Sequence, residues 1–187
     1  PGSPSPRSDP GPIDNRSTRE THGMDLGLTG TRAIVTGGSR GIGRTIAETL
    51  SAEGAHVAIC GRNEETLDAA VAALGERARG TVVDVSDHDA LAAWVDASAD
   101  SMGGLDIVIA NASALGGPPD TTDKWRKVFE TDVLSTVTLV DTATPHLEAS
   151  GIGSIVQLGT ITAVEYHGYP GGTRSYGALK AALVNYT

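Results

Sequence analysis

Arg32-Ala-Ile-Val-Thr-Gly-Gly-Ser-Arg-Gly-Ile-Gly43 is the stretch on which the reading of this chain turns. Ala33 to Val35 is a short apolar run of the kind that makes a buried strand, and a helical pattern follows from Arg44 to Glu53. Between them, Gly37, Gly38, Gly41 and Gly43 form a turn in which the backbone can bend tightly and approach a ligand with no Cβ in the way. The N–H groups opening the next helix then offer a site for a phosphate. Strand, glycine turn and helix in that order suggest a nucleotide pyrophosphate site at the centre of a parallel sheet. The glycines run Gly37-x-x-x-Gly41-x-Gly43, which is not the general G-x-G-x-x-G pattern, so a glycine turn without a ligand stays open as the alternative.

Outward from this turn the chain alternates strand and helix. Strands are predicted at Arg32 to Thr36, His56 to Cys60, Arg79 to Val83, Leu105 to Ala110 and Ser154 to Leu158. Helices are predicted at Gly41 to Glu53, Glu64 to Leu74, Asp87 to Ser101 (capped by Ser86 or Asp87) and Asp123 to Pro145. A last helix begins near Thr173 or Ser175. This rhythm predicts an α/β fold, a doubly wound parallel sheet with helices on both faces. Residues 1–23 carry Pro, Gly, Ser and Thr with almost nothing apolar, too little to offset the entropy of ordering. They are expected to be a disordered leader or tag, with the nucleotide-binding domain at 24–187.

The 187 residues suffice for one domain with a sizeable core. A formal net charge of -9 argues against a nucleic-acid surface, which needs clustered Lys and Arg. The single cysteine, Cys60, excludes an internal disulfide and falls in a predicted strand, where a thiol acts as a small hydrophobe. No apolar run reaches the length of about 18 residues that a membrane span needs, and the start lacks the apolar core of a secretory signal. A cytoplasmic protein with no membrane and no metal site is the expectation.

Two constellations carry chemistry. In dinucleotide-binding folds an acidic residue about 20 residues past the glycine turn holds the ribose 2′-hydroxyl. Here that place reads Ile59-Cys60-Gly61-Arg62, an arginine with no carboxylate, and Arg40 adds a second cation. A guanidinium clamps a 2′-phosphate bidentately where a carboxylate would repel it, so NADP is favoured over NAD; a solvated surface role for each arginine is the alternative. The other constellation is Ser175-Tyr176-Gly-Ala-Leu-Lys180. Tyr176 and Lys180 stand four apart on one helix face. A tyrosine, with its ordinary pKa of about 10, becomes a useful proton exchanger if a neighbouring ammonium lowers that value. Taken alone, the pair also fits an ordinary helix surface.

Thr36-Gly-Gly-Ser-Arg-Gly-Ile-Gly43, Asp84-Val85, Asn111-Ala112 and Tyr176-x-x-x-Lys180 together resemble the short-chain dehydrogenase/reductase family, in the manner of its 3-oxoacyl-carrier-protein reductase-like members. The glycine spacing that departs from the general pattern matches this family's T-G-x-x-x-G-x-G, and the resemblance runs from about Leu28 to the end of the chain. It implies a Rossmann fold and NADP(H)-linked interconversion of a carbonyl and an alcohol in a small-molecule substrate. Gly37, Ser39, Arg40, Gly41, Ile42 and Gly43 would cradle the pyrophosphate and adjoining ribose, and Arg62 would meet the 2′-phosphate. Asp84 and Val85 would flank the adenine, with Asn111 and Ala112 along the cofactor. Tyr176 would be the general acid or base, and Lys180 would hold the nicotinamide ribose and depress the tyrosine pKa. A homodimer or homotetramer is also implied, through the long helix and the Tyr-Lys helix.

Three departures from the family pattern bear on activity. The catalytic serine after the fifth strand is replaced in Gln157-Leu-Gly-Thr160-Ile-Thr162; Thr160 is the candidate substitute, with Thr162 in reserve and a structural threonine as the alternative. The following segment, Glu165 to Arg174, either walls the substrate site with Tyr166, His167 or Tyr169, or is a plain surface loop. Asp132 stands where the family has an asparagine supporting a water path to the lysine, and Ser113 where glycine is common. Asp132 can pair with Lys180 or disturb the proton relay. Finally, the family continues with two more strands and a substrate lid, whereas this sequence stops at Thr187. The expectation is a fragment of a longer enzyme or a truncated product with weakened catalysis. The competing class is a nucleotide-binding sensor or interaction module without turnover.

Overall fold

A computed structural model describes residues 25–115, 119–165 and 174–186. Arg32–Thr36 forms β1, whose Ala33, Ile34 and Val35 are wholly buried. It lies mid-sheet because both of its faces are apolar. His56–Gly61 (β2) pairs with it in parallel on one side and Ile107–Ala110 (β4) on the other. Ala78–Val82 (β3) extends the sheet beyond β2, and Ser154–Gln157 (β5) extends it beyond β4. The order is therefore β3-β2-β1-β4-β5, all parallel.

Alternation along β1 divides the core into two. Ile34 faces one apolar cluster with Cys60, Leu91, Trp94, Val108 and Leu139. Ala33 and Val35 face the other, with Leu50, Ile59, Leu67 and Leu74. Gly41–Ala52 (α1) and Glu64–Leu74 (α2) cover the second face, while His88–Met102 (α3) and Ser135–Ser150 (α5) cover the first. Asn63 caps α2 by accepting from the Thr66 N–H at 2.8 Å. Of the two candidate caps for α3, Asp87 serves, accepting from the Ala90 N–H at 3.0 Å. Ser86 instead bonds to Asp84.

Strand ends differ from the sequence reading by a residue or two, the usual ambiguity of element boundaries. The helix expected over Asp123 to Pro145 is corrected more substantially. It consists of Thr122–Val128 (α4), a π-helical segment at Phe129–Leu134, and α5. Pro145 does not end it; α5 continues to Ser150 and stops at Gly151, which takes the left-handed conformation. Proline removes one helix hydrogen bond, but on an exposed face the freed carbonyl can turn to water. The last helix is Arg174–Tyr186 (α6), preceded by a 3-10 turn at Ile161–Ala163. The leader at 1–23 and the candidate substrate residues Tyr166, His167 and Tyr169 lie outside the described residues.

At the base of the sheet, Arg32 and Asp106 lock β1 to the start of β4. The guanidinium donates from Nε at 2.8 Å and from its second nitrogen at 2.6 Å, and the Arg32 backbone N–H adds a bond at 2.9 Å. The opposite, C-terminal end of the strands is left open. There the chain reverses direction across the sheet between β1 and β4, the crevice in which open α/β sheets bind ligands.

Candidate active site

Two glycines shape the floor of that crevice. Gly37 has φ +66°, a left-handed conformation that lets the chain turn sharply off β1. Gly43 packs so closely that a Cβ there would run into the Asn111 amide and lie 2.5 Å from the Gly37 carbonyl. Asn111 in turn donates from Nδ2 to the Thr36 carbonyl at 2.8 Å and to the Gly37 carbonyl at 3.3 Å. The Thr36 hydroxyl accepts from the N–H groups of Asn111 and Ala112, both at 3.0 Å. Thr36 and Asn111 therefore hold the glycine turn against the end of β4.

α1 opens at Gly41, after an extended Arg40, with no side-chain cap and no acidic residue in its first turn. Its leading N–H groups and the positive end of its dipole face the crevice uncompensated. These features fit the phosphates of a dinucleotide. The crevice has a volume of about 790 Å³. The turn residues Gly37, Ser39, Arg40, Gly41, Ile42 and Gly43 line it. So do Arg62 after β2, Asp84 and Val85 after β3, Asn111 and Ala112 after β4, and Tyr176 and Lys180 from α6. Gly61, Asn63 and Thr66 line it as well. The sequence does not single these out, because a strand end, a helix cap and the residue it caps have no chemistry of their own to mark them.

Arg62 is exposed, and its guanidinium lies 3.9 Å from the Asp84 carboxylate. Burial works to raise the Asp84 pKa, but the Ser86 hydroxyl at 2.7 Å and N–H at 3.1 Å outweigh it. The charges of Arg62 and Lys127 assist, and the net result is a lowered value. Cys60 sits behind this wall; burial pushes its thiol up to about 12, as suits a core hydrophobe.

Thr160 and Asp132 stand behind Tyr176 and Lys180. Thr160 shares a hydrogen bond of 3.1 Å with Thr162. Lys180, 3% exposed, donates from Nζ to the Leu158 carbonyl at 3.0 Å. The same Nζ lies 3.7 Å from Asp132 Oδ2 and 6.0 Å from the centre of the Tyr176 ring. Asp132 comes from the π-helical segment, a local widening often found at functional sites. Its carboxylate is 0% exposed and accepts from the Ser113 hydroxyl at 2.5 Å and the Ala114 N–H at 2.8 Å.

One expectation is overturned here. Lys180 was expected to depress the Tyr176 pKa. Instead burial and the negative charge of Asp132 raise it, against the opposing hydrogen bond from Thr160. Burial also lowers the Lys180 pKa, with Asp132 holding it up in part. Asp132, 3.7 Å from Nζ, offsets part of the ammonium's charge.

Taken together, the sheet order, the uncapped α1 and the tyrosine–lysine pair at one crevice define an open α/β sheet whose switch-point crevice fits the phosphates of a dinucleotide. The family model for short chain dehydrogenases matches residues 31–187. The chain belongs to that family. Isoepoxydon dehydrogenase of Penicillium expansum is 36% identical over 169 residues, covering 87% of this chain and 64% of its own. A 3-oxoacyl-[acyl-carrier-protein] reductase of Haemophilus influenzae is 31% identical over 165 residues, covering 86% of this chain and 66% of its own. A short-chain dehydrogenase from Burkholderia cenocepacia, solved in complex with NADP, superposes with a TM-score of 0.77 at 38% identity, covering 86% of this chain and 66% of that one. This chain thus spans about two thirds of the length of such relatives, or slightly less. Among the described residues no helix is long and apolar enough to cross a membrane.

Proposed function

We propose that this chain carries the cofactor site and proton-transfer pair of an NADP(H)-dependent oxidoreductase that interconverts a carbonyl and an alcohol. The observation that carries this reading is that Tyr176 and Lys180 open onto the same crevice as the glycine turn and the uncapped end of α1. The cofactor, when bound, supplies or accepts the hydride. The residues of this chain do the rest. The α1 N–H groups and Arg40 bind phosphate, and Lys180 meets the ribose next to the reacting ring. Tyr176 passes its proton to the substrate oxygen in reduction and takes one back in oxidation. The Thr160 hydroxyl, bonded to Thr162 at 3.1 Å, can donate to the same substrate oxygen.

Preference for NADP rests on Arg40 and Arg62 lining the crevice with no carboxylate at the end of β2. The exposed contact between Arg62 and Asp84 is weak enough to give way to a phosphate. Arg62→Ala should weaken NADPH binding about 10-fold or more while changing NADH binding little, as read by fluorescence titration. An unchanged preference would remove the case for NADP. NADPH oxidation with a panel of ketones tests turnover, with Tyr176→Phe expected to lose activity by roughly 100-fold or more. Equal rates in parent and variant would leave the second reading, a nucleotide-binding protein without turnover. Thr160 in place of the family's serine favours that reading, and NADPH binding with no catalysis is its signature.

A further inference from the structure

Ser113 and Asp132 are separate departures from the family pattern in the sequence, and the fold brings them into one contact. The Ser113 hydroxyl lies 2.5 Å from Asp132 Oδ2. That hydroxyl oxygen also accepts from the Leu115 N–H at 3.0 Å, which turns its own proton toward the carboxylate. The Ala114 N–H supplies the other carboxylate oxygen at 2.8 Å. A carboxylate needs donors on both oxygens when it is cut off from water. Here the short loop after β4 provides both, and a glycine at 113 would leave Oδ2 without its hydroxyl donor. The acid at 132 and the hydroxyl at 113 therefore belong together.

The third neighbour of this carboxylate is Lys180 Nζ, 3.7 Å from Oδ2. We propose that Ser113 and Asp132 are a buried positioning pair that neutralises Lys180 and so keeps Tyr176 protonated, making it a proton donor for carbonyl reduction across the neutral pH range. This inference rests on the proposed oxidoreductase function and deepens it. In reduction the Tyr176 O–H bond breaks and its proton goes to the substrate oxygen, with the hydride for the new C–H bond being what a bound NADPH would supply. The phenolate left behind regains a proton from water. The pair does not move the reaction's equilibrium; it sets the pH range over which Tyr176 holds the proton that reduction consumes. Oxidation, which needs the phenolate, is confined to more alkaline solution.

Other charges around this site do not reproduce the effect. On α4, Asp123, Arg126 and Lys127 are exposed and Lys124 is half-buried. Glu130 of the π-helical segment is exposed and faces His88. On α6, Arg174 pairs with Asp120 at 3.6 Å. The 3-10 turn and β5 carry no ionisable side chain. The direction of the Tyr176 shift, upward through burial and Asp132, agrees with the geometry.

The test is a tyrosinate absorbance titration of the full chain, which needs neither substrate nor turnover. Subtracting the curve of Tyr176→Phe isolates Tyr176 from Tyr166, Tyr169 and Tyr186. In Asp132→Asn the Tyr176 midpoint should fall by about one pH unit or more, because the Lys180 charge is then unopposed. The double variant Ser113→Gly with Asp132→Asn restores the family's residue types at both positions and should show the same fall. It serves also if the single variant does not fold. An unchanged midpoint in the folded variant overturns the proposal. For Ser113, alanine should lower the melting temperature in the parent, threonine should restore it, and alanine should be neutral in the Asp132→Asn background. Additive losses would dissolve the pair. Lost ketone reduction in Tyr176→Phe with an unmoved Asp132→Asn midpoint would leave the oxidoreductase standing and the pair refuted. A moved midpoint without turnover would do the reverse.

Discussion

Asp106 is a carboxylate with 4% of its side chain exposed, placed where β4 begins and held by a fork of Arg32 bonds. The Arg32 side chain draws its pKa below the ordinary carboxylate value of 3.8, against a smaller upward push from burial. A depressed value in the folded state means stability that is present above pH 3.8 and lost as pH falls through the folded value. Arg32→Met should leave Asp106 with its backbone donor but no counter-charge, costing about 3 kcal/mol in urea denaturation at pH 7. The variant should also lose less further stability than the parent between pH 5 and about pH 3, because the charge-assisted gain is already gone. A parallel loss in both would show that this pair does not drive acid sensitivity. The same local physics, run the other way, explains Tyr176. The i,i+4 spacing to Lys180 was legible in the sequence, but the charge that meets the lysine comes from Asp132, 48 positions earlier. No local window signals such a contact; the family comparison offered pairing with Lys180 as one of two roles for Asp132, and the fold brings the two to 3.7 Å.

Among the elements, the strand–turn–helix unit of β1 and α1 follows directly from its own residues. The apolar run, the glycines and the absence of a cap or an acid in the first turn of α1 are all local. The long helix after β4 is the counter-example. Its apolar periodicity suggested one helix ending at Pro145, whereas α5 runs on to Ser150 and the π-helical turn interrupts the start. Packing of Leu139, Ala143 and Leu147 on the core outweighs the missing hydrogen bond at Pro145. Pro145→Ala restores an N–H donor at an exposed position and should raise stability by about 1 to 3 kcal/mol. A thermal melt reads this directly; an unchanged or lowered Tm would mean that the proline relieves strain here. The π-helical turn shifts the register of its side chains, and Asp132 is the one it buries. A uniform helical period could not anticipate it.

At the scale of the whole molecule, the five strands place every candidate cofactor residue at one end of the sheet. The outermost strand on the β4 side is β5, with Ile155 36% and Val156 47% exposed. Neighbours in a strand point to opposite faces, so both faces of β5 are partly uncovered. Ile161, Val164 and Val184 add exposed apolar surface nearby in sequence and on α6. An apolar edge strand of this kind promotes association between chains. Val156→Lys should lower self-association of this chain in light scattering while leaving NADPH binding within about two-fold, since Val156 does not line the crevice. Unaltered scattering would exonerate the edge.

By itself the sequence determined the parallel α/β architecture and the glycine turn, because strand period, glycine spacing and an uncapped helix start are local properties of the chain. Only the tertiary structure decided the electrostatic surroundings of the tyrosine–lysine pair. That depends on which distant charge is buried beside the ammonium, and a buried charge acts through space and low dielectric rather than along the chain. Ser113 and Asp132, two scattered departures in the sequence, became one contact in the fold.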